Sequence, residues 1–484
     1  MKRILYTILL AIGTLSFSSC TDYINVDKYF YDQVSLDSAF SKRVYVEGWL
    51  SSAYSVMDYI GEYREPFRWA SDDLYHPDMK DYVEGNYSAD NQLGDEAEAR
   101  KGESRLWKYY EGIRKASTFI VNVDRCPELT MDEIADMKGQ ARFLRAYCYW
   151  ALIRVYGPVP LIPLEGLDVN LSYEELSLPR EHFDNLVDFI DQELAESARS
   201  LPTKRTVNNL GRPTRGAALG LRSRVLLYAA SPLFNGNTDF FNVKDCYGNQ
   251  LVSQTYDETK WAKAAAAAKD VIELAKASGL YELYVVAPKA TVLPSQRPPH
   301  NALYSDKNYP EGWADVDPLL SYKSNFDGTI LGSKNPELIF TRTRIGTGHI
   351  NDWAYQSTPK TLKGNNRLAV TQKQVDAYAM NDGRSITEAE ATGDYVTQGF
   401  TTQAYAVANP FLPAKVNLMY NNREPRFYAS IAYNGSVWEA SSASESEFRD
   451  QQIFYYRGLN DGKQGFIVTL ATFSDVNEAL KAKS

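Results

Sequence analysis

The chain has 484 residues, with 52 Lys and Arg against 61 Asp and Glu, for a net charge of −9. That acidic balance lacks the basic clusters that replace counterions on nucleic acid and excludes a nucleic-acid partner as a working hypothesis. Hydrophobic residues at 44% and charged residues at 23% rule out whole-chain disorder, and only 4 His argue against a His-rich metal or catalytic centre.

The N-terminus opens with Lys2 and Arg3, followed by an apolar run from Ile4 to Leu15 and then Ser16-Phe17-Ser18-Ser19-Cys20. The run is too short to span a bilayer and reads as a signal peptide over residues 1–19. The small residues before Cys20 resemble a bacterial lipoprotein cleavage site, which would make Cys20 the lipidated N-terminus and leave a mature charge of −11 once Lys2 and Arg3 are lost. Acyl chains on Cys20 would anchor the protein in membrane lipid, each buried methylene contributing about 0.8 kcal/mol. Residues 20–39 form the tether. The other cysteines, Cys126, Cys148 and Cys246, make no C-x-x-C pair and give no disulfide framework or zinc site.

From 40 to 280 the apolar spacing is helical. Val46, Trp49, Ala53, Val56 and Ile60 form one stripe, and Leu106, Tyr109, Ile113, Ala116, Ile120 and Val123 a second. A third runs Ile134, Met137, Ala141, Leu144, Cys148, Ala151 and Val155. It opens on the capping-box pair Thr130 and Glu133 and closes at Gly157-Pro158. Further helices are predicted over 181–198 and 215–230, and from the N-cap Asp257 to Gly279. In that last helix Trp261, Ala265, Ala268, Ile272 and Ala275 are expected to face inward. Consecutive helical pairs with Ala at close-contact positions look like tetratricopeptide hairpins. The expected fold is therefore mainly α, a tetratricopeptide-like scaffold carrying a loop-rich insertion.

Residues 281–484 change texture, with Pro, Gly, Asn and aromatics scattered and short strand-like runs at 337–343 and 426–433. Several segments then match one family in order. Gln140-Ala141-Arg142-Phe143-Leu144-Arg145-Ala146-Tyr147-Cys148-Tyr149-Trp150, continuing through Val155-Tyr156-Gly157-Pro158-Val159-Pro160, resembles the signature helix of the SusD/RagB family of outer-membrane nutrient-uptake lipoproteins. Gly211-Arg212-Pro213-Thr214-Arg215-Gly216 and Tyr228-Ala229-Ala230-Ser231-Pro232-Leu233-Phe234 resemble its second hallmark. Weaker echoes follow at Asn335-Pro336-Glu337-Leu338-Ile339-Phe340 and Glu424-Pro425-Arg426-Phe427-Tyr428.

The resemblance implies a surface-exposed lipoprotein of the outer membrane, not an enzyme. It would capture an oligosaccharide, or in some members a peptide, and pass it to a TonB-dependent SusC-like barrel. Family members continue to a C-terminal helical stretch that is not seen here, where the chain ends at Ala482-Lys483-Ser484. The second region is thus expected to be C-terminally incomplete and the body marginally stable. Arg142 and Arg145, by contrast, read as packing residues that pair with acids or cap carbonyls.

Sugar rings offer C–H faces to aromatic side chains and hydroxyl edges to Asn, Asp, Gln and Arg. Two stretches interleave these types, 69–92 and 304–327. The candidate ligand-binding residues are Trp69, Tyr82, Asn86 and Tyr87 in the first, and Tyr304, Tyr309, Trp313, Tyr322 and Asn325 in the second. Tyr309 and Trp313 lead, because Pro310 and Gly312 suggest an exposed turn between them. A lipoprotein glycoside hydrolase would need a carboxylate pair such as Asp72/Asp73 or Asp315/Asp317, and nothing selects one. No cofactor motif occurs; Asp315-Val316-Asp317 could at most hold a structural calcium ion.

Overall fold

The structure is a computed structural model that describes residues 36–58, 72–75, 105–168, 170–288, 298–341, 357–409, 412–439, 445–456 and 459–461. The first half of these is helical. After the short α1 (Leu36–Ala39) come α2 (Arg43–Tyr54), α3 (Arg105–Asn122), α4 (Met131–Tyr156), the single-turn α5 (Tyr173–Leu176), α6 (Phe183–Ser200), α7 (Arg215–Ala230) and α8 (Thr259–Ser278). Neighbours in sequence pack as neighbours in space: α2 on α3, α3 on α4, α4 on α6, α6 on α7 and α7 on α8.

The central element is α4. Thr130 and Glu133 form the capping box foreseen from their spacing, and Gly157 ends the helix. Glu133 also accepts both Nη atoms of Arg43, at 2.7 and 2.9 Å, and so ties α2 to the start of α4. This fork holds the Glu133 carboxyl down at about 2. Along α4 the residues Ala141, Leu144, Cys148 and Ala151 are fully buried. A Cβ added at Gly112 of α3 would lie 2.9 Å from Val56 and 3.0 Å from the Cys148 sulfur, so the close approach of these helices requires glycine there.

The signature residues of α4 fasten the loop that leaves it and the helix beyond. Tyr149, with no exposure, accepts a hydrogen bond from the Ile162 N–H at 2.9 Å through its phenol oxygen. Arg145 donates to the Ile162 carbonyl at 2.9 Å and lies 4.7 Å over the Phe189 ring. Arg142 reaches Glu193 of α6 at 2.5 Å. The arginines thus pair with an acid and cap a carbonyl, as their position beside an apolar face suggests. At the second hallmark, Phe234 stacks on Phe183 at 3.9 Å and 6°. Asn235 then accepts from the Asp257 N–H at 2.8 Å and donates to the Asp257 carbonyl at 2.9 Å, which fixes the approach to α8.

The orientation of α8 corrects the expected inward stripe. Ala264 and Ala267 are the buried residues, while Trp261 is 40% and Ile272 52% exposed. The alanine run is apolar on every side, so periodicity cannot phase it; the close approach to α7 selects small residues and turns the large ones outward.

The second half holds α9 (Pro318–Lys323), α10 (Gln372–Ala377), α11 (Ile386–Thr392), α12 (Gln403–Ala408) and α13 (Pro425–Ser430). The strands are two residues long, and the first of them comes from the first half. β1 (Leu74–Tyr75) pairs antiparallel with β2 (Ala369–Val370), and β3 (Val437–Trp438) with β4 (Gln451–Gln452). The strand-like run 426–433 is instead α13 followed by loop, because Pro425 at N1 presets a helical start. Residues 337–341 form turns and bends, and 342–343 lie outside the described residues.

A second core gathers Val375, Met380, Val416, Met419, Tyr420, Phe427 and Tyr433. At its centre Arg423, with no exposure, donates to the carbonyls of Val375 and Tyr378, both at 2.7 Å, and sits 4.8 Å over Phe427. Phe340 packs edge-on against Phe143 at 5.4 Å, so the 335–340 segment anchors this half to α4.

Candidate functional site

The stretch 301–326 is an interlocked loop leading into α9. The Trp313 N–H donates to the Tyr304 carbonyl at 3.1 Å, the Gly312 N–H to the Asn308 carbonyl at 3.0 Å, and the Ala314 N–H to the Lys307 carbonyl at 2.8 Å. Asp315 accepts from the Tyr309 N–H at 2.8 Å and so holds the base of the turn, which includes a cis Tyr309–Pro310 peptide. Asp317 accepts from the Leu320 N–H at 2.9 Å and caps α9. Gly312 is buried, and a Cβ there would collide with the carbonyls of Tyr304 and Lys307.

This framework leaves Tyr304 51%, Tyr309 44% and Tyr322 37% exposed. Phe326, in the same stretch, is exposed as well and meets Tyr322 with ring centroids 5.1 Å apart. Trp313 is half-buried; residues 309–311 form the exposed turn expected between Tyr309 and Trp313, while Gly312 itself is buried where the backbone closes on Tyr304 and Lys307. Asn325 is committed to the protein. Its Nδ2 donates to the Ser321 carbonyl at 3.0 Å and to Glu337 at 3.1 Å, and its Oδ1 accepts from Asn335 at 2.9 Å. Tyr304, Tyr309 and Trp313 share one loop, while Tyr322 and Asn325 sit on and just beyond α9. Trp69, Tyr82, Asn86, Tyr87 and the lipidation candidate Cys20 lie outside the described residues.

The carboxylates considered for hydrolysis have structural work. Asp315 and Asp317 hold the turn and the helix cap. Asp72 pairs with Lys373, which lowers its pKa. Among the described residues no group of three or more His, Cys, Asp or Glu is placed to hold a metal ion. No helix among them is long and apolar enough to cross a membrane.

Sequence reasoning also missed a cavity of about 680 Å3 lined by Phe400, Lys415, Asn417, Phe454, Tyr456 and Leu459, with residues 397–399 and Thr401 at its edge. Its only signal in the sequence is a pair of short aromatic segments more than fifty residues apart, too far for any local pattern to join.

Comparison with known proteins places this architecture. Residues 33–227 match a family model described as starch-binding associating with outer membrane, and residues 336–466 match the SusD family model. SusD-like protein P25 from Formosa agariphila is 23% identical over 210 residues, which cover 37% of this chain and 39% of that relative. The solved structure of BT4246 superposes with a TM-score of 0.64 at 23% identity, over 83% of this chain and 66% of its own. A SusD-like protein, BF3747, from Bacteroides fragilis gives 0.57 at 20% identity, over 88% and 66%. The chain therefore spans about two thirds of the length of these solved structures and much less of the curated relative. At such identities the structures establish a shared helical, tetratricopeptide-like fold. With two models of one family covering more than half of its length between them, this chain belongs to the SusD family.

Proposed function

We propose that the protein is a cell-surface lipoprotein of the outer membrane that captures an oligosaccharide and passes it to a TonB-dependent SusC-like barrel. Family membership supports the setting, and the family model's own description is of starch-binding proteins associating with the outer membrane. The observation that carries the reading to this chain is the set of exposed rings, Tyr304 and Tyr309 on a loop whose backbone is fixed by its own hydrogen bonds and Tyr322 on the helix α9 that follows it. Rings held in place before binding lose little freedom when a sugar stacks on them, and each stacked ring contributes about 1 kcal/mol. A few rings and hydrogen bonds give high-micromolar to millimolar affinity, which suits a carrier that must release its cargo. Anchoring through Cys20 completes the proposal, with acyl chains holding the body at the membrane.

A glycan array probed with the protein, with a peptide library alongside, tests the cargo. Retention of oligosaccharides and not peptides is expected; selective peptide capture overturns the saccharide reading. Release of reducing ends from a bound glycan would contradict a binding role and return the carboxylates to consideration. For the anchor, labelled fatty acid should be incorporated by the wild type and not by Cys20→Ala.

A further inference from the structure

The 680 Å3 cavity in the second half has a size typical of small-molecule sites and shares no residue with the 301–326 loop. One wall is a locked backbone ladder. Phe400 and Asn417 face each other across an antiparallel bridge, the Thr401 N–H donates to the Val416 carbonyl, and the Lys415 N–H donates to the Thr401 carbonyl, both at 2.8 Å. The opposite wall is pinned as firmly. The Phe454 N–H donates to the Asn460 side chain at 2.9 Å, and that side chain donates in turn to the Gln452 carbonyl at 2.7 Å.

The Phe400 and Tyr456 rings meet edge to face, with centroids 6.4 Å apart at 66°. Phe400 is 49% and Leu459 44% exposed, so a ligand here keeps one side wet. An enclosed aliphatic tail would gain little in so open a setting, whereas a sugar ring matches it, with one C–H face to bury and hydroxyls to leave in water. The Asn417 amide is engaged, donating to the Thr397 carbonyl at 3.3 Å and accepting from the Met419 N–H at 2.9 Å. Lys415 is exposed, lines the cavity and forms no ion pair among the described residues. Its ammonium offers a carboxylate a charge-assisted hydrogen bond there.

We propose that this cavity binds a carboxylated sugar ring, a uronic-acid unit of an oligosaccharide, with its apolar face on the exposed Phe400 ring and its carboxylate on Lys415. The proposal stands apart from the reading of the 301–326 loop, since neither set of residues is needed by the other.

Calorimetric titration of the full chain tests it, using trisaccharides of galacturonate, glucuronate and mannuronate, each against its neutral counterpart. At least one uronate should bind more tightly than its neutral partner. Lys415→Met should weaken that uronate about tenfold or more, the scale of one charge-assisted hydrogen bond, without affecting the neutral sugar. Phe400→Ala should weaken both sugars. Both side chains are exposed, so unchanged thermal melts certify the folds. The assignment fails if no uronate binds, or if Lys415→Met leaves the uronate affinity unchanged. Binding of an aromatic acid such as phenylacetate while every uronate is refused equally overturns it.

Discussion

The two halves of the molecule spend the same residue types differently. At the contact of α3 and α4, the aromatic and arginine side chains are consumed by packing: Tyr109 and Tyr149 are almost without exposure, and Arg145 closes on a backbone carbonyl. In the second half, regular elements are short, and order comes from side chains that bond distant backbone. Arg423 reaches carbonyls at 375 and 378, and the Tyr428 phenol donates to the Tyr420 carbonyl at 2.7 Å. Helices fill their own backbone hydrogen bonds and need aromatics only for the core. Loops must be held by side chains, and once held they can leave other rings in solvent. Tyr304, Tyr309, Tyr322 and Phe400 are such rings.

This contrast can be broken first at Arg423. Replacement by Ala leaves buried carbonyls unpaired and opens a void, a loss of about 3–5 kcal/mol. Hydrogen exchange should show protection falling across 369–433 while α4 and α6 keep theirs. Arg423→Lys should rescue only part, because one ammonium cannot reproduce the guanidinium fork. Equal loss in both halves would mean that they fold as one unit.

A smaller effect is expected in the scaffold. Tyr149→Phe keeps the ring and removes the acceptor for the Ile162 N–H, costing about 1–3 kcal/mol if water cannot replace it. Denaturant titration should register that loss without altering glycan affinity. Altered affinity would show that the 159–162 segment communicates with the binding surface.

The smallest effect concerns pH. The Arg43 guanidinium holds the Glu133 carboxyl at about 2, below its ordinary unfolded value near 4.5. The stabilisation is therefore present above that unfolded value and is lost as pH falls toward 2. Thermal melts of Glu133→Gln and wild type should differ modestly at neutral pH, begin to approach each other below about pH 4 and converge only near pH 2. A gap that persists at low pH would assign the role to the capping box alone.

Much of the scaffold was legible because its signals are local. Thr130, Glu133 and Gly157 bound α4, and the 215–230 prediction coincides with α7. The face of α8 was not legible, since an alanine run has no phase until a neighbour approaches. Nor was the core around Arg423, whose partners lie 45 and 48 residues away and leave no period to read. At the candidate site, the sequence placed Tyr304 and Tyr309 on an ordered loop. It also placed an exposed turn between Tyr309 and Trp313, which residues 309–311 form, but it did not disclose that Gly312 is a close-packing position or that the Asn325 amide, offered for ligand, is bonded on both sides. Backbone crossings and amide partners are set by tertiary contacts, so residue types alone do not disclose them.

The proposed function places capture of cargo on rings displayed by the 301–326 stretch and not on those of the helical scaffold. Hydrogen exchange of the full chain with and without the oligosaccharide selected by the array tests this directly. Protection should appear at 301–326, and it should vanish in a Tyr309→Ala/Trp313→Ala variant whose melt is unchanged. Protection confined to the exposed surfaces of α7 and α8, with the loop unaffected, would contradict it.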